Sequence, residues 1–81
     1  MRTFHLTIAR VGEKLFDGAA ESVVLPGHDG VFTVLAGHEA FVSPLRAGEA
    51  HVRTEDGAAY HFELPEGGVA EVSGGQATVL L

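Results

Sequence analysis

The sequence contains no cysteine and no tryptophan, and a single lysine, Lys14, among its 81 residues. Without cysteine there is no disulfide framework and no thiol chemistry, so the chain must hold together by packing. At this length folding buries only roughly 60–65% of the unfolded surface, which calls for a dense core or a partner. Basic residues are scarce: five Lys and Arg face eleven Asp and Glu, a formal charge of −6. Nucleic acid and anionic lipid surfaces demand the opposite balance, whereas an acidic face suits solubility or a basic protein partner. No apolar run approaches the ~18–20 residues that cross a bilayer, and residues 1–14 lack the apolar centre of a signal peptide. The expectation is a soluble, cytoplasmic chain. One lysine, outside any tight turn, also argues against a lipoyl or biotinyl carrier, which needs a lysine at a hairpin tip.

Uninterrupted segments are equally scarce. Eleven glycines and three prolines punctuate the chain, and after the opening stretch of residues 1–11 no segment free of both exceeds eight residues. Helices usually need about 10–12 residues and strands 4–8, so the spacing selects strands. The period agrees. Phe4, Leu6 and Ile8 alternate with His5, Thr7 and Ala9; Ala50 and Val52 with His51 and Arg53; Tyr60, Phe62 and Leu64 with His61 and Glu63; and Ala77, Val79 and Leu81 repeat the pattern. Each such strand buries one face and wets the other. Val23-Val24-Leu25 and the stretch from Val31 to Leu35 are apolar on both faces and read as strands near the centre. Asp56-Gly57 between two alternating runs signals a hairpin, because a type I′ turn needs positive φ at both central residues. Pro26-Gly27, Glu66-Gly67-Gly68 and Ser73-Gly74-Gly75 mark further turns. The reading is a single all-β domain over residues 1–81, a sandwich or barrel of eight to ten short strands, with 46% hydrophobic residues to fill it.

Catalytic and metal constellations are thin. No two of His5, His28, His38, His51 and His61 lie closer than ten residues, and cysteine is absent, which predicts no tight zinc or copper site. His51 and His61 face each other if the Asp56-Gly57 hairpin forms, and with Glu63 could hold a metal loosely. Ser22, Ser43 and Ser73 sit near turns, but none lies in a Gly-x-Ser-x-Gly elbow. Glu55-Asp56 lies at a hairpin tip, where both carboxylates are solvated. The glycine pairs lack the Gly-Lys-Ser/Thr and helix of a phosphate loop. The chain reads as no enzyme, with no cofactor.

The segment Leu25-Pro26-Gly27-His28-Asp29-Gly30-Val31-Phe32-Thr33-Val34-Leu35-Ala36-Gly37-His38 resembles the signature of the epsilon subunit (delta in mitochondria) of F-type ATP synthases, approximately Leu-Pro-Gly-x-x-Gly-x-x-x-Val-Leu-Pro-Gly-His. Leu15-Phe16-Asp17-Gly18 with Glu21 to Gly27 is similar to the family's early strands, and Leu45-Arg46-Ala47-Gly48 to its Leu-x-x-Gly turn. Arg53 to Gly57, Gly67 to Val72, and Thr78-Val79-Leu80 are similar to the later hairpins and the last strand. The departures are Ala36 in place of Pro, Glu39-Ala40 in place of Ala-Pro, and Val31 where an acidic residue is common.

The resemblance implies a flattened β-sandwich of about ten strands. It also implies a non-catalytic central-stalk (rotor) subunit that binds the gamma subunit and the c-ring, and couples proton or sodium flow to ATP synthesis. The complex would hold it peripherally at the cytoplasmic side of a bacterial inner membrane. Carried over, the turn His28-Asp29-Gly30-Val31 would meet the c-ring, and a patch of Val34, His38, Ala40 and Val42 would face gamma. The family commonly continues into a C-terminal helical hairpin that can inhibit hydrolysis; these 81 residues contain none. The expectation is a chain that is monomeric when isolated, supports coupling, and neither latches the motor nor responds to ATP. The alternative is a free-standing β-sandwich adaptor or weak metal-binding module on the same fold.

Overall fold

The computed structural model describes residues 2–81; Met1, the first residue of the expected domain, lies outside the described residues. Nine strands appear among the described residues, within the eight to ten expected and one fewer than the resemblance implies. They are β1 (Phe4–Arg10), β2 (Glu13–Ala20), β3 (Ser22–Gly27), β4 (Gly30–Leu35), β5 (Phe41–Pro44), β6 (Gly48–Arg53), β7 (Ala59–Leu64), β8 (Val69–Ser73) and β9 (Gln76–Leu80). One sheet runs β2-β1-β9-β8-β5 and the other β4-β3-β6-β7. All pairs are antiparallel except β1 with β9. That parallel pair brings the first and last strands side by side, with His5 opposite Gln76 and Ala9 opposite Leu80.

The period-two pattern has the expected consequence. Phe4, Leu6, Ile8, Ala77, Val79, Ala70 and Val72 from the five-stranded sheet meet Val23, Leu25, Val34, Ala50, Val52 and Leu64 from the other. Among the described residues no polar or charged residue is buried, so the core is dry and its energy is that of apolar burial, about 25 cal/mol per Å² removed from water. Aromatic rings close the two long sides. Phe32 of β4 meets Phe41 of β5 edge to face at 5.4 Å, and Phe16 of β2 meets Tyr60 and Phe62 of β7 at 5.5 and 6.3 Å. A bulge leaves Leu15 unpaired between the pairs Ile8–Phe16 and Ala9–Lys14. The extra residue lets the consecutive Leu15 and Phe16 both pack on the core, which a regular strand forbids.

Two expectations change. The run Val31 to Leu35 is an edge strand, not a central one: β4 pairs only with β3. Its outer side chains have no cover in this chain, so Val31 and Leu35 are 73% and 54% exposed. The hairpin at Asp56-Gly57 forms, but not through a type I′ turn. Only Gly57 has positive φ, at 89°. The Gly57 amide donates to the Thr54 carbonyl while the Asp56 carboxylate accepts from the Thr54 hydroxyl and the Ala58 amide. Glycine therefore follows the turn instead of standing inside it. The two-residue loop with positive φ at both positions is Gly74-Gly75, at 33° and 83°, between the paired Ser73 and Gln76.

Candidate interaction surfaces

The turn His28-Asp29-Gly30-Val31 closes the β3–β4 hairpin at one end of the sandwich. Its shape depends on small residues. A Cβ on Gly27 would lie 2.6 Å from the Gly30 carbonyl and 2.8 Å from the Phe32 ring, and Gly30 has φ 139°, a region that favours glycine. Backbone bonds tie the turn to the β5–β6 connection: the His28 amide donates to the Pro44 carbonyl at 3.0 Å, and the Arg46 amide to the Pro26 carbonyl at 2.9 Å. The Ala47 amide in turn donates to Glu66 at 3.0 Å. The side chains of His28, Asp29 and Val31 are left in solvent, on a rigid mount.

His38, Ala40 and Val42 lie along the β4–β5 crossover and β5. The His38 amide donates to the Leu35 carbonyl at 3.2 Å, and its ring stands 4.9 Å from that of Phe41. Gly37, at φ 84° and with the Arg2 guanidinium 3.3 Å from where a Cβ would sit, shapes this corner. His38 and Ala40 are exposed and Val42 is 64% exposed. Val34 does not belong with them. It is 1% exposed and part of the core, because alternation along β4 turns Phe32 and Val34 inward when Val31, Thr33 and Leu35 point out.

The structure adds residues that sequence reasoning missed. Ala9, Leu80, Val69 and Pro44 are successive cross-strand partners over β1, β9, β8 and β5, on the outer face of the five-stranded sheet. Val42 lies two residues from Pro44 on the same face. A signal was present: Val79-Leu80-Leu81 is three apolar residues in a row, and a strand must turn the middle one away from the core.

The charged groups lie elsewhere. His5 Nε2 is 2.6 Å and Lys14 Nζ 3.2 Å from the Asp17 carboxylate, and these hydrogen bonds, His5 first, hold Asp17 below the usual carboxylate range. Asp56 is held down chiefly by the Thr54 hydroxyl and then by the Ala58 amide. The Thr7 hydroxyl donates to Asp17 at 3.5 Å and not to His5, so His5–Asp17 has the spacing of a general-base dyad without a nucleophile on the imidazole. His51 and His61 are direct cross-strand partners. No three His, Asp or Glu converge as a metal site among the described residues.

Comparison with known proteins points one way. The family described as ATP synthase, Delta/Epsilon chain, beta-sandwich domain matches residues 3–81. The chain is 38% identical over 81 residues to the ATP synthase epsilon chain of Bordetella avium, spanning 99% of itself and 56% of that relative. It is 34% identical over 79 residues to the epsilon chain of Chlorobium limicola, spanning 89% of that relative. It therefore covers about half the length of one relative and most of the other. Among solved structures it superposes on a chain of the Euglena gracilis mitochondrial ATP synthase OSCP/F1/c-ring assembly, with TM-score 0.88, 28% identity, and 96% and 49% of the two chains covered. A chain of the Tetrahymena thermophila mitochondrial ATP synthase central stalk and c-ring shares the fold, with TM-score 0.77 at 14% identity over 98% and 63% of the chains.

Proposed function

The chain belongs to the ATP synthase delta/epsilon chain β-sandwich family, and from that membership we propose that it is a non-catalytic rotor component of an F-type ATP synthase. The observation that carries this reading is the likeness, in sequence and fold together, to a chain of the Euglena OSCP/F1/c-ring assembly. In this reading the domain sits at the foot of the central stalk. It binds the gamma subunit, rests on the c-ring, and transmits rotation that couples ion flow to ATP synthesis carried out by other subunits. Its place is peripheral, at the cytoplasmic side of a bacterial inner membrane.

Edge chemistry supports the choice of surfaces. Free strand edges are usually guarded by charge, yet β4 and β5 contain no Asp, Glu, Lys or Arg. An apolar, unguarded edge suits a partner. We assign the gamma contact to His38, Ala40 and Val42, continuing across Pro44 and Val69 to Leu80. The c-ring contact is assigned to the turn His28 to Val31, whose backbone is pinned from below. The test is reconstitution: the purified chain is added to F1 stripped of its epsilon subunit, and co-migration is followed. Cysteines at Val42 and at His28 are then cross-linked in the membrane-bound complex. Val42→Cys should link to gamma and His28→Cys to the c-subunit. A chain that folds yet stays free of F1 would leave the adaptor reading standing.

A further inference from the structure

The outer face of the four-stranded sheet presents a group that lies outside the surfaces assigned above. Glu49 and His51 of β6 stand opposite Glu63 and His61 of β7, and by alternation all four point outward. The imidazole centres of His51 and His61 are 6.0 Å apart at an interplanar angle of 55°. Two imidazoles on one ion, with metal–nitrogen bonds of ~2.0–2.1 Å, place their ring centres roughly 4.5–5.5 Å apart, so side-chain rotation that closes the rings by about 1 Å and turns one nitrogen of each toward a common point lets the pair chelate. Glu49 Oε1 is 3.4 Å from His51 Nε2. A carboxylate there, in charge contact without hydrogen-bond geometry, adds the negative potential that favours a bound cation. Glu49 and Glu63 are like charges directly opposite, a destabilising arrangement that a cation would relieve. The pair helps to line a groove of about 190 Å³ together with Ser22, Val24 and Arg53; Arg53, two residues from His51, places a cationic group beside it.

We propose that His51 and His61 form a bidentate site for one first-row transition-metal dication, with Glu49 adding negative charge beside His51 and water completing the coordination. Imidazole ligation selects nickel, copper or zinc over magnesium and calcium. Two exposed imidazoles with no converging third ligand make this a micromolar site, not a nanomolar one, consistent with the absence of a tight site expected from histidine spacing.

The experiment is calorimetric titration of the 81-residue chain with Ni²⁺ in a non-chelating buffer, with histidine imidazole proton resonances followed in parallel. One Ni²⁺ per chain is expected, with the His51 and His61 signals broadening first. His51→Gln or His61→Gln should weaken binding by at least about tenfold, and Glu49→Gln by about two- to threefold. His5→Gln, His28→Gln and His38→Gln should leave it unchanged. Circular dichroism on each variant confirms the fold, which these solvent-facing changes leave intact. Absence of saturation below millimolar Ni²⁺ would overturn the proposal. So would wild-type affinity in His51→Gln or His61→Gln, or broadening centred on another histidine.

Discussion

The two long sides of the sandwich are built alike and finished differently. On one side β4 and β5 approach through Phe32 and Phe41; on the other β2 and β7 approach through Phe16, Tyr60 and Phe62. The β2–β7 side is guarded: Glu13, Lys14 and Asp17 lie on β2 and Glu63 on β7, with ion pairs Arg10–Glu13 and Lys14–Asp17 and the His5–Asp17 hydrogen bond along the β1–β2 hairpin. The β4–β5 side has no charged strand residue and exposes Val31, Leu35 and Val42. Ring pairs line both sides, so the sides differ most plainly in charge. Charge blocks stray strand pairing on one side, and its omission on the other leaves a surface to be covered.

The comparison can be broken first at what the sides share. Ile8 and Leu25 are both fully buried, one in each sheet. Ile8→Ala and Leu25→Ala should each cost about 2–5 kcal/mol and melt both sheets together. Urea unfolding followed by near- and far-ultraviolet dichroism checks this; separate transitions would mean two cores. The second cut distinguishes the sides. Val42→Asp places a carboxylate opposite Glu71 and should cost folding about 0.2–1 kcal/mol, but weaken gamma binding by about 2–5 kcal/mol, because the carboxylate is desolvated without a partner. Ala59→Asp on β7 should leave gamma binding at the wild-type value. Pull-down titration against F1 measures both, and equal losses would erase the assignment.

A smaller effect probes the guarded side. Glu63→Lys replaces a like-charge cross-strand pair with Glu49 by an opposite one, and should stabilise the chain by about 0.2–1 kcal/mol, read as a shift in the urea midpoint. The smallest effect concerns two exposed carboxylates held down by different causes. Asp17 is lowered by bonds to His5 and Lys14, Asp56 by bonds to Thr54 and Ala58. A folded pKa below the unfolded one contributes stability that is present above the unfolded value, near 3.8, and is lost as pH falls through the folded value. Both therefore add to the acid limb below about pH 4. Salt should raise the Asp17 value, whose partner Lys14 is cationic, and leave Asp56 nearly in place. Carbon-detected carboxyl titration at low and high salt distinguishes them, and equal salt responses would mean that charge is not what holds Asp17.

Much of this was legible before any coordinates. Short Gly- and Pro-bounded segments with period-two alternation select strands whatever the tertiary context, since alternation is a property of extended backbone. Leu6, Ile8, Ala50, Val52 and Val79 are buried as that pattern demands. The pairing of His51 with His61 follows from the hairpin between them, and the motif from Leu25 to His38 marked the segment that carries the turn and the crossover. Less legible were the turn types. Asp-Gly favours a primed turn, but the Thr54 hydroxyl and Ala58 amide capture the Asp56 carboxylate and stabilise a different one.

The local pattern by itself determined the all-β class and the buried face of each alternating strand, because each follows from residues within a few positions of one another. Only the tertiary structure decided which strands stand at an edge and which face stays bare. Val31 to Leu35 reads as doubly covered, yet β4 is bonded on one side only, and Val34 turned inward while its neighbours stayed out. Leu80 found Ala9 and Val69 beside it through partners tens of residues away. Burial of a strand's second face depends on what the rest of the fold, or another molecule, places against it, and no short-range pattern encodes that.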